Sequence, residues 1–574
     1  MSISAPNPAS LNPTSESQLL ASLAVETDEE WFSLNRQGKI RFLANKLGVA
    51  ENEASRRIST AAGLSYVEDF AVDEKMLTLV PSRLLHSLQF LPMDAGNEKR
   101  NESQFEVVAV WPLSSVEQRW IRTVTGVWPI VKMGTLDKVS DRITERYGVG
   151  SASLDGQVSA SMEAEVDPES EDEDAAVIRF VNEVIRQALE SRATDIHFEP
   201  HRERLAIRYR IDGELTIVAV PENLQSFQAA IISRIKIMAH LNISERRRPQ
   251  DGRIGFHYGK DEIDIRISTF PTLYGESVSL RLLNQKSQAM SVDDLGLRPF
   301  EKKIVEEVVK RPNGIILVTG PTGSGKSTSL NAFIRLVHSP NKRIMTVEDP
   351  IEYEVPGVNQ TQIREDLGLT FAKSLRHILR QDPDIIMVGE IRDRDTAEIA
   401  IRASLTGHLV FSTLHTNDAP GALTRLIDME IEPFLIASSV ELVIAQRLIR
   451  RLCTHCADKR IAPTDQVLSI RRMLDLPVVG FESATVELSH PAGCEWCRGM
   501  GYRGRVGLFE ILQVQKAAHD LVLERASSKR IREAAMKDGM RSLQESAWDL
   551  MVSGVSSPEE ALRHVRTMDE ESGE

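Results

Sequence analysis

The sequence predicts an α/β fold built on a parallel sheet that is covered by helices on both faces. From about residue 298, short apolar runs alternate with helical patterns, and the runs occupy residues 315–318, 344–347, 385–388 and 409–411. Continuous apolar runs of this length are typical of parallel strands buried on both faces. Each run ends in polar or glycine residues. Because open parallel sheets bind ligands at the carboxyl ends of their strands, we expect the chemistry of this chain at those ends.

Composition and charge narrow the class of protein. The 574 residues suffice for about three or four domains, and 41% hydrophobic with 26% charged residues is an ordinary globular balance. The net charge of −14 disfavours a general nucleic-acid binder, which needs a basic face. The first residues lack the apolar core of a secretory signal, and no run of about 18 apolar residues occurs. We therefore expect a cytoplasmic protein that reaches a membrane only through partners.

The chain divides into segments of different pattern. We expect a disordered leader over residues 1–25, an α/β domain over 26–148 and an acidic flexible linker over 149–174. A second domain, 175–286, combines a helical pattern with alternating strands in which Arg266 and Arg281 lie on the open faces. The parallel-sheet domain covers 287–450, a cysteine-containing subdomain 451–505, and a helical region 506–574.

A phosphate-binding loop follows the first apolar run. Residues 320–327 fit G-x-x-x-x-G-K-[ST] between a buried strand and a helix, so backbone N–H groups and the helix N-terminus can surround phosphates. Lys326 is expected to reach the β- and γ-phosphates and Ser327 to bind Mg²⁺. The pattern predicts a site for ATP and Mg²⁺. Its predicted nucleotide-binding residues are Gly320, Pro321, Thr322, Gly323, Ser324, Gly325, Lys326, Ser327 and Thr328.

Acidic and histidine residues follow the other runs. Glu348 and Asp349 follow the second run, Glu390 the third, and His415 the fourth. We expect Glu390, with Glu348, to orient or activate water, and His415 to sense the γ-phosphate. The acidic partner of the metal stays open between Asp349 and Glu348.

Four cysteines form two Cys-x-x-Cys pairs, Cys453 with Cys456 and Cys494 with Cys497. Four thiolates in two such pairs are the ligand set of a closed, structural zinc site. The alternative is four free buried thiols. Since the spacer between the pairs is longer than in small zinc ribbons, we expect an inserted subdomain.

Three motifs carry a resemblance to a known family. Residues 379–393, LRQDPDIIMVGEIRD, resemble the signature of the type II secretion and type IV pilus assembly ATPases. Residues 346–352 look like that family's Asp box, and 406–417 look like its His box. The resemblance is close over about 175–515. It implies a RecA-like P-loop NTPase core, a preceding PAS-like α+β domain, a homo-hexamer and ATP hydrolysis. It also implies phosphate-contacting arginines at Arg266, Arg281, Arg376 and Arg380.

The resemblance extends loosely into the first 150 residues, which in relatives dock on an inner-membrane platform. The sequence at 41–45 differs from the family's cyclic di-GMP motif, so we do not expect that messenger to bind. Retraction motors generally lack the cysteine pairs, which places this chain with the assembly motors. The resemblance implies a motor for pseudopilus assembly and protein export. The alternatives are a type IV pilus assembly motor, a DNA translocase and a non-hydrolysing scaffold.

Overall fold

The computed structural model describes residues 16–25, 31, 34, 36–80, 84–85, 88–94, 104–147, 170–259, 261–283, 290–481 and 485–571. The chain divides into two compact units, Met1–Leu282 and Leu283–Glu574. Among the described residues, no helix combines the length and the apolar composition that crossing a bilayer requires.

The first unit begins with a four-stranded sheet in the order β1-β4-β3-β2. Strands β1 and β3 both run parallel to β4, whereas β2 and β3 are antiparallel. Residues 16–23 of the expected leader form a helix, because Leu19 is buried in the core of this region. The elements are α1 Glu16–Leu23, α2 Arg36–Leu47, α3 Glu51–Ala61, β1 Tyr66–Val67, α4 Glu74–Leu77, β2 Phe90–Met93, β3 Gln104–Ala109, α5 Ser115–Thr125, β4 Trp128–Gly134 and α6 Leu136–Tyr147.

The rest of this unit holds a six-stranded sheet in the order β7-β6-β5-β10-β9-β8. In β9, Ile263, Ile265 and Ile267 are buried while Arg266 is half-buried, as the alternating pattern predicts. The predicted linker lies outside the described residues up to residue 169, and a helix begins at Ser170. The elements are α7 Ser170–Glu190, β5 Ala193–Pro200, β6 Leu205–Ile211, β7 Glu214–Val218, a 3₁₀ turn Glu222–Phe227, α8 Gln228–Met238, β8 Gln250–Tyr258, β9 Asp261–Thr272 and β10 Gly275–Leu283.

The second unit is built on a seven-stranded sheet in the order β13-β12-β14-β15-β11-β16-β19. The four predicted apolar runs are the central strands β12, β14, β15 and β11, which pair in parallel register. Helices pack on both faces, so the predicted α/β class is confirmed. The elements are α9 Pro299–Val308, β11 Gly314–Thr319, α10 Lys326–Val337, β12 Ile344–Glu348, β13 Asn359–Gln362, α11 Phe371–Ile378, β14 Ile385–Val388, α12 Arg394–Leu405, β15 Leu409–Leu414, α13 Ala419–Asp428, α14 Pro433–Ser439 and β16 Val440–Leu452, with 3₁₀ turns at Val292–Leu295 and Glu365–Leu367.

The remaining elements surround the cysteines and end the chain. The expected insertion between the cysteine pairs contains a helix and a two-stranded antiparallel sheet. Residues 506–513 were predicted to open a helical region, but they belong to β19, which pairs antiparallel with β16. That pairing buries Leu508, Phe509 and Leu512 in the sheet. The elements are β17 Asp458–Ala462, α15 Thr464–Met473, β18 Val486–His490, a 3₁₀ turn Glu495–Cys497, β19 Tyr502–Gln513, α16 Lys516–Leu523, α17 Ser528–Lys537, α18 Leu543–Val552 and α19 Pro558–Glu571.

Candidate active site

The phosphate loop leaves β11 and enters α10 through glycines in left-handed backbone conformations. Gly320, Gly323 and Gly325 have φ values of 144°, 81° and 88°. A Cβ atom at Gly320 would lie 2.4 Å from the backbone oxygen of Gln446 on the neighbouring strand. Only glycine therefore allows the loop to pass this close to β16.

Lys326 closes this loop on itself. Its Nζ donates hydrogen bonds to the carbonyl oxygens of Gly320, at 2.8 Å, and Pro321, at 3.0 Å. Burial lowers the pKa of Lys326 to about 8; the Glu390 carboxylate opposes this shift and the Arg447 guanidinium adds to it. The ammonium group therefore lies where the negative charge of a bound phosphate would stabilise its charged form.

The loop also fits a nucleotide in its other groups. The Oγ of Ser324 is buried and has no hydrogen-bond partner among the described residues. Ser327 is exposed in the first turn of α10, at a helix N-terminus that favours negative charge. These groups fit the phosphates of a nucleotide, with the Ser327 hydroxyl available to a magnesium ion.

Glu390 lies next to this loop, at the end of β14. One carboxylate oxygen forms an ion pair with Arg392, and the other lies 3.2 Å from Nε2 of His415, which follows β15. Arg392 also approaches Asp349, with 3.6 Å between Nη2 and Oδ2. The structure thus brings Glu390, His415 and Asp349 to one edge of the sheet, as their positions after parallel strands predict.

Glu348 has a different environment. It is buried at the end of β12, and its Oε1 accepts hydrogen bonds from Thr346 Oγ1, at 2.6 Å, and Gln360 Nε2, at 2.9 Å. Burial raises the pKa of this carboxyl group, which the two hydrogen bonds partly offset. Its predicted role beside Glu390 stays a prediction.

The four predicted arginines fall in two places. Arg376 and Arg380 are exposed residues at the end of α11; Arg376 pairs with Asp395 at 3.3 Å, and Arg380 donates to the carbonyl oxygen of Arg376 at 2.9 Å. Arg266 and Arg281 belong to the first unit, where both line a cavity of 470 Å³ on the six-stranded sheet. Arg281 Nε donates to Asp195 Oδ1 at 3.1 Å within that cavity. Phosphate contact by these arginines stays a prediction.

The four cysteine sulfurs form one cluster, in which all lie within 4.8 Å of one another. The Cys453–Cys494, Cys456–Cys497 and Cys494–Cys497 sulfur pairs are 3.8, 3.7 and 3.7 Å apart. Zinc–sulfur bonds of about 2.3 Å in a tetrahedron place sulfurs about 3.8 Å apart, so the cluster fits zinc. Burial disfavours the Cys497 thiolate, but backbone N–H groups of Cys494 and Gly501 lower its pKa to about 7. That shift favours the ionised form of Cys497, whereas burial and hydrogen bonds with the neighbouring thiols raise the pKa of Cys456.

Sequence reasoning missed three residues that complete the site. Arg392 belongs to the quoted signature, but nothing in its spacing shows that it pairs with Glu390. Gln446 and Arg447 lie in the middle of β16, and Arg447 is charged and buried. A polar pair inside an otherwise apolar strand was the available signal, and without the neighbouring strand it does not show what the pair contacts.

The chain is similar to known proteins over most of its length. The family model described as Type II/IV secretion system protein matches residues 170–563. "Type II secretion system protein E" of Pseudomonas aeruginosa is 44% identical over 419 residues, which cover 72% of this chain and 81% of that protein. "Type IV pilus assembly ATPase PilB" of Thermus thermophilus is 44% identical over 401 residues, or 70% of this chain and 44% of that protein.

Among solved structures, the ATPase DotB of Legionella pneumophila is 21% identical with a TM-score of 0.49, and the match covers 67% of this chain and 94% of that one. The family model covers well over half of the chain, and the identity to protein E extends over most of both sequences. The resemblance stated from the motifs is confirmed: this chain belongs to the type II/IV secretion system protein family.

Proposed function

We propose that this chain hydrolyses ATP to ADP and phosphate with Mg²⁺ and thereby powers pseudopilus assembly and protein export by a type II secretion system. The observation that carries the proposal is the placement of Lys326 in a phosphate loop beside the Glu390–His415 pair. The names of the relatives, protein E of type II secretion above all, support the biological setting.

Each residue of the site has a proposed role in hydrolysis that follows from its chemistry. Lys326 exchanges its two loop carbonyls for the β- and γ-phosphates, and Ser327 holds Mg²⁺, which neutralises phosphate charge when bound. Glu390 accepts a hydrogen bond from the attacking water and orients it in line with the γ-phosphate. His415, in contact with the same carboxylate, adds a donor near the γ-phosphate. Catalysis then depends mainly on positioning and electrostatic stabilisation.

Assembly and location belong to the same proposal. The chain works as a homo-hexamer in the cytoplasm and contacts the inner membrane through a platform protein that its first domain binds. Zinc at the cysteine cluster has a structural role, since four protein ligands leave no open position for catalysis. Arg266, Arg281, Arg376 and Arg380 supply charge to the transition state, as arginine fingers do.

Phosphate release by the full-length protein tests the reaction. We expect Mg²⁺-dependent hydrolysis by wild type, none by Lys326→Ala, and none by Glu390→Gln, which still binds a fluorescent ATP analogue. Glu398→Gln removes a half-buried carboxylate that pairs with Arg402 and should retain wild-type activity. A wild type that binds ATP but releases no phosphate, even when fused to a hexamer-forming partner, would make a scaffold the better account.

A type IV pilus assembly motor is the second candidate, favoured by the 44% identity to PilB. Deletion of the gene separates the two tasks. Loss of enzyme export with normal pilus extension supports the secretion role, and the reverse result supports the pilus role. A DNA translocase would instead require salt-dependent DNA binding, which the net charge of −14 disfavours.

A further inference from the structure

Gln446 and Arg447 lie on β16 where this strand passes the phosphate loop. The strand pairs in parallel with β11 up to Ala445, which is opposite Thr319, the last residue before the loop. The Oε1 of Gln446 accepts a hydrogen bond of 2.7 Å from Ser329 Oγ in the first turns of α10. A Cβ at Gly325 would lie 2.9 Å from Gln446 Nε2. Gln446 therefore contacts both the loop and the helix that follows it.

Arg447 extends from the same place toward a second loop. Its side chain is buried, with an exposed fraction of 6%. The guanidinium donates to the Asn417 carbonyl oxygen at 2.9 Å, to Asn417 Oδ1 at 3.2 Å and to the Gln446 carbonyl oxygen at 3.1 Å. Its Nη1 would lie 3.1 Å from a Cβ at Gly320, so one planar group spans the space between the phosphate loop and Asn417.

Asn417 belongs to the segment that follows His415. Thr416 is fixed to the end of β11, because Thr319 Oγ1 donates to its carbonyl oxygen at 2.7 Å and accepts from its N–H at 2.9 Å. Asp418 accepts from the N–H of Gly421 at 2.7 Å as the N-cap of α13. The segment between His415 and α13 is thus held at Thr416, at Asn417 and at Asp418, and Arg447 makes the central contact.

We propose that Arg447 is a positioning residue for ATP hydrolysis, which holds the His415 segment against the phosphate loop so that His415 and Glu390 stay aligned with the phosphates. The inference rests on the proposed ATPase activity. The planar fork of arginine donates to several acceptors in fixed directions, which a lysine ammonium does not reproduce. A lysine at this position keeps the charge and loses the geometry.

A buried arginine that merely stabilises the fold would show different behaviour, and a double-mutant cycle separates the two roles. If Arg447 acts through His415, replacing both residues lowers kcat little further than replacing either one. If it only stabilises the domain, the two losses of kcat multiply. Asn417→Ala is a gentler second variant, because it removes Oδ1 and leaves the backbone acceptor in place.

The experiment compares full-length wild type, Arg447→Lys, Asn417→Ala, His415→Ala and the pairwise combinations. We measure kcat by phosphate release, Kd for a fluorescent ATP analogue, and Tm. For Arg447→Lys we expect kcat to fall about tenfold, the effect of about one charge-assisted hydrogen bond, with Kd changed by less than about twofold. The double variant Arg447→Lys/His415→Ala should have a kcat little lower than that of His415→Ala alone. Asn417→Ala should lower kcat by a smaller factor, again with little change in Kd.

Arg471→Lys is the matched control. Arg471 is equally buried in the same unit, but it donates to the Pro477 carbonyl oxygen and packs on Phe481 and Trp548. The Arg471→Lys substitution should lower Tm while kcat stays near the wild-type value. Wild-type kcat in Arg447→Lys, or losses that multiply with His415→Ala, overturn the inference and leave the ATPase proposal intact. A wild type without hydrolysis overturns the ATPase proposal itself. If Arg447→Lys does not fold, the cycle between Asn417→Ala and His415→Ala decides by the same criterion.

Discussion

Nucleotide binding should take up a proton, and the amount should rise between pH 7 and pH 9. In the empty site the pKa of Lys326 is about 8, because burial and the nearby Arg447 disfavour its charged form. A group with that pKa is about one-tenth neutral at pH 7, one-half neutral at pH 8 and nine-tenths neutral at pH 9. Phosphate oxygens beside the ammonium favour the charged form and restore a pKa near or above 10. Binding one nucleotide should therefore take up about 0.1, 0.5 and 0.9 protons at these pH values.

Isothermal titration calorimetry measures this uptake directly. A non-hydrolysable ATP analogue is titrated in two buffers without phosphate, HEPES and Tris, whose enthalpies of ionisation differ, and the difference in binding enthalpy gives the number of protons. Lys326→Arg is the matched control, since an arginine stays charged throughout this range. Its binding enthalpy should not depend on the buffer at pH 8.

The same proton uptake determines whether the affinity for nucleotide rises or falls with pH. Because the bound state holds more protons than the empty state, affinity should fall as the pH rises above about 8. An enthalpy at pH 8 that is equal in both buffers for wild type, or an affinity that rises from pH 7 to pH 9, would refute the assignment of a partly neutral Lys326 in the empty loop.

Three further predictions follow from the structure. Gly320→Ala should abolish nucleotide binding and lower Tm, since the added methyl group meets the backbone of β16; binding near wild-type affinity would contradict the close approach. Chelation of the metal, or Cys494→Ser, should lower Tm and release about one zinc per chain by colorimetric assay, and a metal-free protein with unchanged Tm would refute the structural site. Glu560→Gln should cost about 2 kcal/mol in urea unfolding at pH 7, because burial opposes ionisation but hydrogen bonds from His564 and Arg450 lower the Glu560 pKa to about 2. The lowered Glu560 pKa stabilises the fold at pH values above the pKa of a glutamate in the unfolded chain. The difference in free energy of unfolding between wild type and Glu560→Gln should therefore persist at pH 5 and shrink between pH 4 and pH 2. A difference that stays constant over this range would refute the prediction.

The parts of the site that follow strands could be predicted from the sequence. Buried runs of four to six residues specify strands, and the motif at 320–327 specifies the loop, so the positions of Lys326, Glu390 and His415 followed from parallel-sheet geometry. Two Cys-x-x-Cys pairs likewise predicted a cluster that the structure forms. These signals are local in sequence, and each depends on a few residues at fixed spacing.

The parts of the fold and site that depend on pairing between distant segments could not be predicted from the sequence. Strand β19 pairs with β16 across an insertion of about fifty residues, and its apolar pattern fits a buried helix as well as a strand. Arg447 could be noticed as a charge within an apolar strand, but its partner Asn417 lies 30 residues earlier, on the loop that follows β15. The helix at 16–23 was missed because a short segment gains its order from tertiary burial of Leu19 rather than from its own propensity.

Strands β16 and β19 connect the cysteine cluster to the phosphate loop. Cys453 directly follows Leu452, the last residue of β16. Leu452 pairs with Tyr502, the first residue of β19, which comes shortly after Cys497 in the chain. Arg447 lies six residues before Cys453, about 20 Å along an extended chain. The β16–β19 ladder therefore runs without a break in the chain from the cysteine cluster to the part of β16 that passes the phosphate loop. We expect a displacement of the cysteine cluster to shift Gln446 and Arg447 beside the phosphate loop, and a movement of that loop to shift the cysteine cluster.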